Sequence, residues 1–153
     1  MKNKLILLFL IISIVFQFSS CSGMPYDIQY SYSDFANNLV SAELISGHRS
    51  KEERVNVVST LALDDVKEDL ISQIVNKPIH CKDGPGISEC SVTVKLTYSD
   101  GSCCFICQYH IHFYDSNGSY SPLTEKSHNV RDSEYIKIVE TYLNELLNDL
   151  DEN

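Results

Sequence analysis

Three closely spaced cysteines are the residues of this sequence that most readily suggest chemistry. Cys103 and Cys104 are adjacent, and Cys107 follows, so residues 104–107 read Cys-Phe-Ile-Cys. A Cys-x-x-Cys pair such as Cys104 and Cys107 serves redox chemistry when it lies at the start of a helix, and it binds zinc when it lies in a turn. Here the residues alternate as in a strand, where Cys104 and Cys107 point to opposite faces. The pattern therefore argues against both kinds of site.

The other cysteine pairings are limited by distance. On the predicted strand, Cys103 and Cys107 share the apolar face but lie roughly 13 Å apart, at a rise of about 3.3 Å per residue, which is too far for a disulfide. We therefore expect Cys90, Cys103 and Cys107 to be small buried apolar residues. Cys81 and Cys90 flank a Gly-Pro-Gly loop, and they are the pair that could form a disulfide in an oxidising compartment.

Two histidines give the sharpest hypothesis of a metal site. His110 and His112 are two residues apart, so they point to the same side of a strand. The expected hairpin register places Ser91 opposite His110 and Glu89 opposite His112. Two imidazoles and a carboxylate on one face are suitable metal ligands. The competing interpretation, which we favour, is the solvent-facing polar side of a half-buried sheet.

No familiar catalytic motif stands in the chain: we find no Ser-His-Asp order, no phosphate-binding glycine loop and no His-Glu-x-x-His. Residues 115–119 resemble the start of a calcium loop, but they lack the third carboxylate position and the terminal Glu of that pattern. A hairpin turn explains them better. We therefore predict no catalytic residues, no cofactor and no enzymatic activity.

The elements that must position these residues follow from apolar periodicity. An Asp100-Gly101 turn predicts a hairpin, in which a two-residue turn pairs Tyr98 with Cys103 and Leu96 with Phe105. The fold class is α+β, with an antiparallel sheet of four or five strands and two helices on one face, in the order β-β-α-β-β-(β)-α. The predicted strands are 39–46, 54–61, 90–98, 103–112 and an optional edge strand at 120–125, and the predicted helices are 64–76 and 133–150.

The N-terminus has the layout of a secretory signal. Lys2 and Lys4 precede an apolar run over residues 5–18, which is too short to span a bilayer. The next residues end at Cys21 and resemble a bacterial lipoprotein signal, in which that cysteine receives diacylglycerol and becomes the mature N-terminus. This resemblance implies a signal peptide at 1–20, a tether at 21–38 and a single α+β domain at 39–150. It places the protein on the extracytoplasmic face of the cell membrane, with the membrane as a partner through the N-terminal lipid.

Composition restricts the other partners. The chain has 153 residues and a formal charge of −9, from 12 Lys and Arg against 21 Asp and Glu. Phosphate backbones select basic surfaces, so we exclude nucleic acid as a partner. The expected function is a non-enzymatic binding or envelope-accessory module for an unknown protein or small-molecule ligand. Two alternatives remain: a metal-binding or metal-dependent protein using His110, His112 and Glu89, and a secreted eukaryotic protein with an ordinary signal and one disulfide.

The order of elements resembles a group of small uncharacterised lipoproteins of Gram-positive bacteria, over roughly residues 35–146. The resemblance rests on the Ser-Asp-Gly-Ser hairpin, the closing helix and three segments, namely Leu39 to Ile45, Leu61 to Val75 and Val94 to Tyr109. It implies a location and an approximate fold. It implies no activity, because a shared fold does not carry a shared function.

Overall fold

Eight strands form one antiparallel sheet in a computed structural model, which describes residues 25–46, 56–82, 90–117 and 128–152. The strands are β1 (Pro25–Ile28), β2 (Leu39–Ser46), β3 (Asn56–Leu61), β4 (Ile79–Lys82), β5 (Val92–Tyr98), β6 (Cys103–Cys107), β7 (His110–Tyr114) and β8 (His128–Val130). Their order across the sheet is β1-β4-β8-β7-β6-β5-β2-β3, so β1 and β3 lie at its two edges. The sheet is open rather than closed into a barrel.

Three helical segments accompany the sheet. They are α1 (Tyr32–Ala36), α2, which is α-helical over Leu63–Asp65 and Ser72–Ile74 and π-helical over Val66–Ile71 between them, and α3 (Ser133–Asp151). Asp132 caps α3, because its carboxylate accepts hydrogen bonds from the backbone N–H groups of Glu134 and Tyr135. None of the helices in the described ranges is long and apolar enough to cross a membrane.

The core lies on one face of the sheet, where α2 and α3 pack. Alternate strand residues, including Leu44, Leu96 and Ile106, are fully buried against helix residues such as Leu70 and Val139. This arrangement confirms the predicted α+β class with helices on one sheet face. Burial of apolar area at roughly 25 cal/mol per Å² is the main force that holds the two layers together.

The sheet has more strands than the four or five expected. Three of the additional strands, β1, β4 and β8, contain four, four and three residues, which is too short for alternation to be recognised. The fourth arises because the single strand expected over residues 103–112 is divided. Gln108 and Tyr109 form a turn, and Cys107 pairs with His110 across it.

Tyr98 lies opposite Ser102, so the loop that closes the β5–β6 hairpin contains three residues, 99–101, rather than two. The Gly101 N–H donates to the Tyr98 carbonyl, and the Tyr98 N–H donates to the Ser102 carbonyl. Gly101 has φ of +83°, which a residue with a Cβ adopts only at a cost. A turn followed by a left-handed glycine is a recurrent three-residue hairpin loop.

The longer loop shifts the register of β6 by one residue. Leu96 pairs with Cys104 and Thr97 with Cys103, so the predicted pairing of Leu96 with Phe105 is wrong. A slip of one residue exchanges the two faces of a strand. Cys104 and Ile106 therefore join the core, and Cys103 and Phe105 lie on the opposite face.

Residues 25–38, expected to belong to a tether over 21–38, are part of the folded domain. The strand β1 pairs with β4, and Phe35 of α1 is fully buried in the core. The Phe35 ring packs against Tyr30 and Phe113, with ring centroids 5.0 and 5.4 Å away. The predicted signal peptide at 1–20 and the optional strand at 120–125 lie outside the described residues.

Replacing Gly101 by alanine tests the loop. We expect Gly101→Ala to lower the free energy of unfolding by about 1–2 kcal/mol, because an alanine strains the left-handed conformation. The measurement is urea unfolding followed by circular dichroism. Gly101→Asn is the matched control and should lose less, since asparagine tolerates this conformation better. An alanine variant as stable as the wild type would contradict this account of the loop.

Candidate functional site

A cavity of about 330 Å³ opens where three connections of the fold meet. These connections are the end of α1 with the start of β2, the β5–β6 loop, and the chain leaving β7. Asn38 holds two of them together, because its carbonyl accepts a hydrogen bond of 2.9 Å from the Ser99 N–H. The volume lies at the lower end of the range typical of small-molecule pockets.

Three carboxylates line this cavity, one from each connection: Asp34, Asp100 and Asp115. Local hydrogen bonds orient them. Asp34 Oδ2 accepts from the Ser31 N–H at 2.6 Å, and Asp115 Oδ1 accepts from the Asn117 N–H at 2.9 Å. No Lys, Arg or His is among the described residues that line the cavity, so its electrostatic potential favours a positively charged ligand.

Asp100 is fixed by the loop that carries it. Its Oδ1 accepts hydrogen bonds from the Ser102 hydroxyl at 2.6 Å and from the Ser102 N–H at 2.9 Å. Both bonds favour the charged form and lower the pKa of this carboxyl. These bonds hold one oxygen of the carboxylate in the turn.

Tyr98 also lines the cavity. Its side chain is only 8% exposed, and its hydroxyl is buried without a hydrogen-bond partner among the described residues. Burial raises the pKa of this phenol far above its usual value, and the nearby Cys104, Cys103, Asp34 and Asp100 add to the shift. The phenol is therefore neutral and offers one donor and one acceptor.

Leaving such a hydroxyl unpaired costs free energy. A buried polar group without a partner costs about 1–3 kcal/mol, and such groups are uncommon in folded proteins. Two further aromatic residues, Phe113 and Tyr114, and two amides, Asn37 and Asn38, complete the polar and aromatic character of the cavity. The three carboxylates give the cavity an electrostatic preference for a small cation.

The two histidines of the metal hypothesis lie side by side. His110 and His112 are both in β7, with ring centroids 5.1 Å apart, so their placement on one face is confirmed. Their expected partners across the strand are wrong, because the chain turns back at residues 108–109. His110 pairs with Cys107, and His112 pairs with Phe105.

The third proposed metal ligand, Glu89, lies outside the described residues. Within the described ranges, no group of three or more His, Cys, Asp or Glu side chains is arranged to hold a metal ion. The metal site at His110, His112 and Glu89 therefore stays a prediction.

The cysteines pair differently from the expectation. A disulfide joins Cys90 to Cys107, with their Cα atoms 6.3 Å apart, and Cys81 is buried outside this bridge. The predicted Cys81–Cys90 bridge is therefore wrong, as is the interpretation of Cys90 and Cys107 as simple apolar residues. The turn at Gln108 and Tyr109 explains the pairing, because it ends β6 at Cys107, beside the start of β5. Cys103 is only half-buried, and its pKa is raised mainly by burial.

Comparison of the chain with protein-family models, with curated proteins and with solved structures found no match. The resemblance to Gram-positive lipoproteins therefore stays a prediction. Cys21, the expected lipidation site, lies outside the described residues, so its modification also stays a prediction.

Sequence reasoning missed the cavity although it noticed most of its parts. Asp100 and Asp115 were placed in turns and Tyr98 on the apolar face of a strand, while Asp34 was assigned to a tether. Nothing in the local pattern links these positions, because they are brought together by the pairing of β2, β5, β6 and β7. Local sequence patterns predict where turns occur, but they do not predict which turns lie next to each other in the folded chain.

The Tyr98 hydroxyl gives a stability test. We expect Tyr98→Phe to raise the free energy of unfolding by about 1 kcal/mol, because it removes an unpaired buried polar group and keeps the ring. Tyr30→Phe should behave alike, since the Tyr30 hydroxyl is also buried and unpaired among the described residues. Tyr135→Phe is the opposite control. The Tyr135 hydroxyl donates to the Cys107 carbonyl at 2.9 Å, so this variant should lower the free energy of unfolding by about 1 kcal/mol. If Tyr98→Phe lowered it by the same amount, the Tyr98 hydroxyl would not be unpaired. Denaturant unfolding measures all three.

The disulfide gives a second test. Replacing both Cys90 and Cys107 by alanine should lower the free energy of unfolding by about 3 kcal/mol, since the bridge restricts the unfolded chain. A reductant should destabilise the wild type and the Cys81→Ala control, and it should leave the double variant unchanged. Peptide mapping without reduction should recover Cys90 joined to Cys107. Recovery of Cys81 joined to Cys90 would contradict the assignment.

Proposed function

We propose that this protein is a lipid-anchored, extracytoplasmic lipoprotein whose α+β domain is a non-enzymatic binding module. The observation that carries the binding role is the cavity lined by Tyr98 and by three carboxylates, Asp34, Asp100 and Asp115. A polar cavity built at a free-energy cost is the expected property of a site selected for binding rather than for stability.

The proposed location is supported by two features of different origin. The first is the N-terminal pattern, in which a short apolar run at residues 5–18 leads to Cys21. The second is the Cys90–Cys107 disulfide, because disulfides persist in oxidising compartments outside the cytoplasm. Two or more acyl chains on Cys21 would hold the domain firmly at the membrane, at about 0.8 kcal/mol per buried methylene.

A secreted protein with an ordinary signal peptide is the second candidate, and the disulfide supports it as much as it supports the lipoprotein. It would also use an oxidising compartment and one disulfide, so the Cys90–Cys107 bridge does not separate the two proposals. They differ in the fate of Cys21, which is lipidated in the first and carries no lipid in the second. The anchor must therefore be tested directly.

Replacing Cys21 tests the anchor. In bacterial cells we expect the wild type in the membrane fraction and Cys21→Ala either released to the medium or retained as an unprocessed precursor, since alanine cannot accept the lipid. Globomycin, which blocks the lipoprotein signal peptidase, should cause precursor accumulation of the wild type only. The control is Cys103→Ala, which also removes a thiol but should stay in the membrane. Wild type without lipid, and unaffected by globomycin, would overturn the proposed location.

A further inference from the structure

The two edges of the sheet differ in how they are protected against another strand. A free edge offers unpaired backbone N–H and C=O groups to any extended chain, and proteins usually shield it with proline, with charge or by keeping it short. The edge strand β1 has four residues and begins with Pro25, which lacks an N–H. It also contains Asp27, whose side chain is 65% exposed. The β1 edge is therefore protected.

The edge strand β3 lacks all of these devices. It has six residues, Asn-Val-Val-Ser-Thr-Leu, with no charge and no proline. Within the described part of the chain it pairs only with β2. Val57 and Val58 are 55% and 43% exposed. An uncharged edge strand with exposed apolar side chains is the kind that pairs with a strand of another chain.

A β-bulge concentrates the apolar surface of β3. Its pairing with β2 runs from Ser59 to Val57 and omits Val58, which is an additional residue. A bulge sets two residues against one on the neighbouring strand. Here the two are the exposed valines, and the residue opposite is the fully buried Ile45. The strand β2 therefore leaves both valines largely exposed at the edge.

Charge makes a second copy of this chain a suitable occupant of the β3 edge. The chain carries a formal charge of −9, so two copies repel each other wherever their acidic surfaces meet. The strand β3 itself is uncharged, and Glu43, the charged residue of β2, is bound to Lys95 at 3.0 Å. Two β3 edges can therefore approach without bringing unpaired like charges together.

The acidic start of α2 selects the direction of pairing. Asp64 and Asp65 follow β3 closely and are both exposed. Parallel pairing would place these carboxylates of the two copies side by side. Antiparallel pairing about Val58 separates them by roughly 12 residues, or about 40 Å at a rise of about 3.3 Å per residue. That distance is well beyond the screening length of about 8 Å.

The antiparallel arrangement is also self-complementary. With Val58 on the twofold axis, the Val58 side chains of the two copies meet, and Val57 lies opposite Ser59. At the ends of the contact, Asn56 lies opposite Thr60, so polar side chains face each other across the strands. The apolar residues thus occupy the centre of the contact and the polar residues its rim, as is usual in protein interfaces.

We propose that β3 is a dimerisation edge, along which two copies of this chain pair antiparallel with Val58 of one copy opposite Val58 of the other. An isologous contact of this kind closes as a dimer, and the protected β1 edge prevents further growth. A six-residue strand buries less than the about 800 Å² per partner of a standard interface, so the dimer is weak in solution. Confinement to one membrane would raise the effective concentration. The inference goes beyond the proposed function and does not depend on the lipid anchor.

Sedimentation equilibrium of the full chain in a non-ionic detergent tests the proposal. The wild type should show a monomer–dimer equilibrium with a Kd between about 10 μM and 1 mM. Val58→Lys should weaken the dimer at least tenfold, because the twofold axis places two ammonium groups against each other. Val40→Lys is the matched control, since Val40 is 54% exposed but lies in β2, an interior strand. It should leave the Kd within twofold.

A charge exchange at the same position tests the occupant and the register. Val58→Glu alone should be as monomeric as Val58→Lys. An equal mixture of the two variants should recover a heterodimer, because opposite charges then face each other across the axis. Circular dichroism spectra that match the wild type establish that both variants are folded. Loss of the dimer in both variants without recovery in the mixture would overturn the register centred on Val58.

The remaining outcomes also decide the proposal. A wild type that stays monomeric up to about 1 mM would overturn it and would show that the bulge protects this edge. A dimer weakened equally by Val58→Lys and Val40→Lys would reflect general charge repulsion, and a larger assembly that persists in Val58→Lys would use another surface. Both results would overturn the assignment to β3. An unlipidated chain in cell fractionation would remove the proposed location and leave the dimer standing.

Discussion

The left-handed backbone of Gly101 is the constraint on which the rest of this structure depends. With φ of +83°, it closes a three-residue loop between β5 and β6 and sets their register, with Leu96 opposite Cys104. Because side chains alternate across a strand, this single choice decides which half of β6 enters the core. A two-residue loop would have buried Cys103 and Phe105 in place of Cys104 and Ile106.

A second turn, at Gln108 and Tyr109, determines a covalent and a polar link of the sheet. It ends β6 at Cys107, whose sulfur bonds to that of Cys90 just before β5. The carbonyl of Cys107 accepts the hydrogen bond from Tyr135, so α3 is fastened to the turn that the disulfide restrains. Cys107 therefore links α3, β6 and the segment before β5, and no local sequence pattern indicates this role.

The cavity is the part of the structure that stability alone does not explain. Tyr98 is directed toward the core side of β5, yet its hydroxyl finds no partner among the described residues, and the three neighbouring aspartates arrive on separate connections. Each aspartate is held by an ordinary turn hydrogen bond, so each has a local reason to be present. Their convergence around a buried phenol is a tertiary property, and it gives the domain its candidate binding chemistry.

The sequence by itself determined the α+β class, the helix α3, the β5–β6 hairpin and the shared face of His110 and His112. These features depend on periodicity and capping, which act over a few residues. Only the tertiary structure decided the loop length at Gly101, the Cys90–Cys107 pairing, the short strands β1, β4 and β8, and the meeting of Asp34, Tyr98, Asp100 and Asp115. A two-residue loop and a three-residue loop differ little in local free energy. The packing of the whole sheet against α2 and α3, in contrast, strongly distinguishes the two registers that these loops produce.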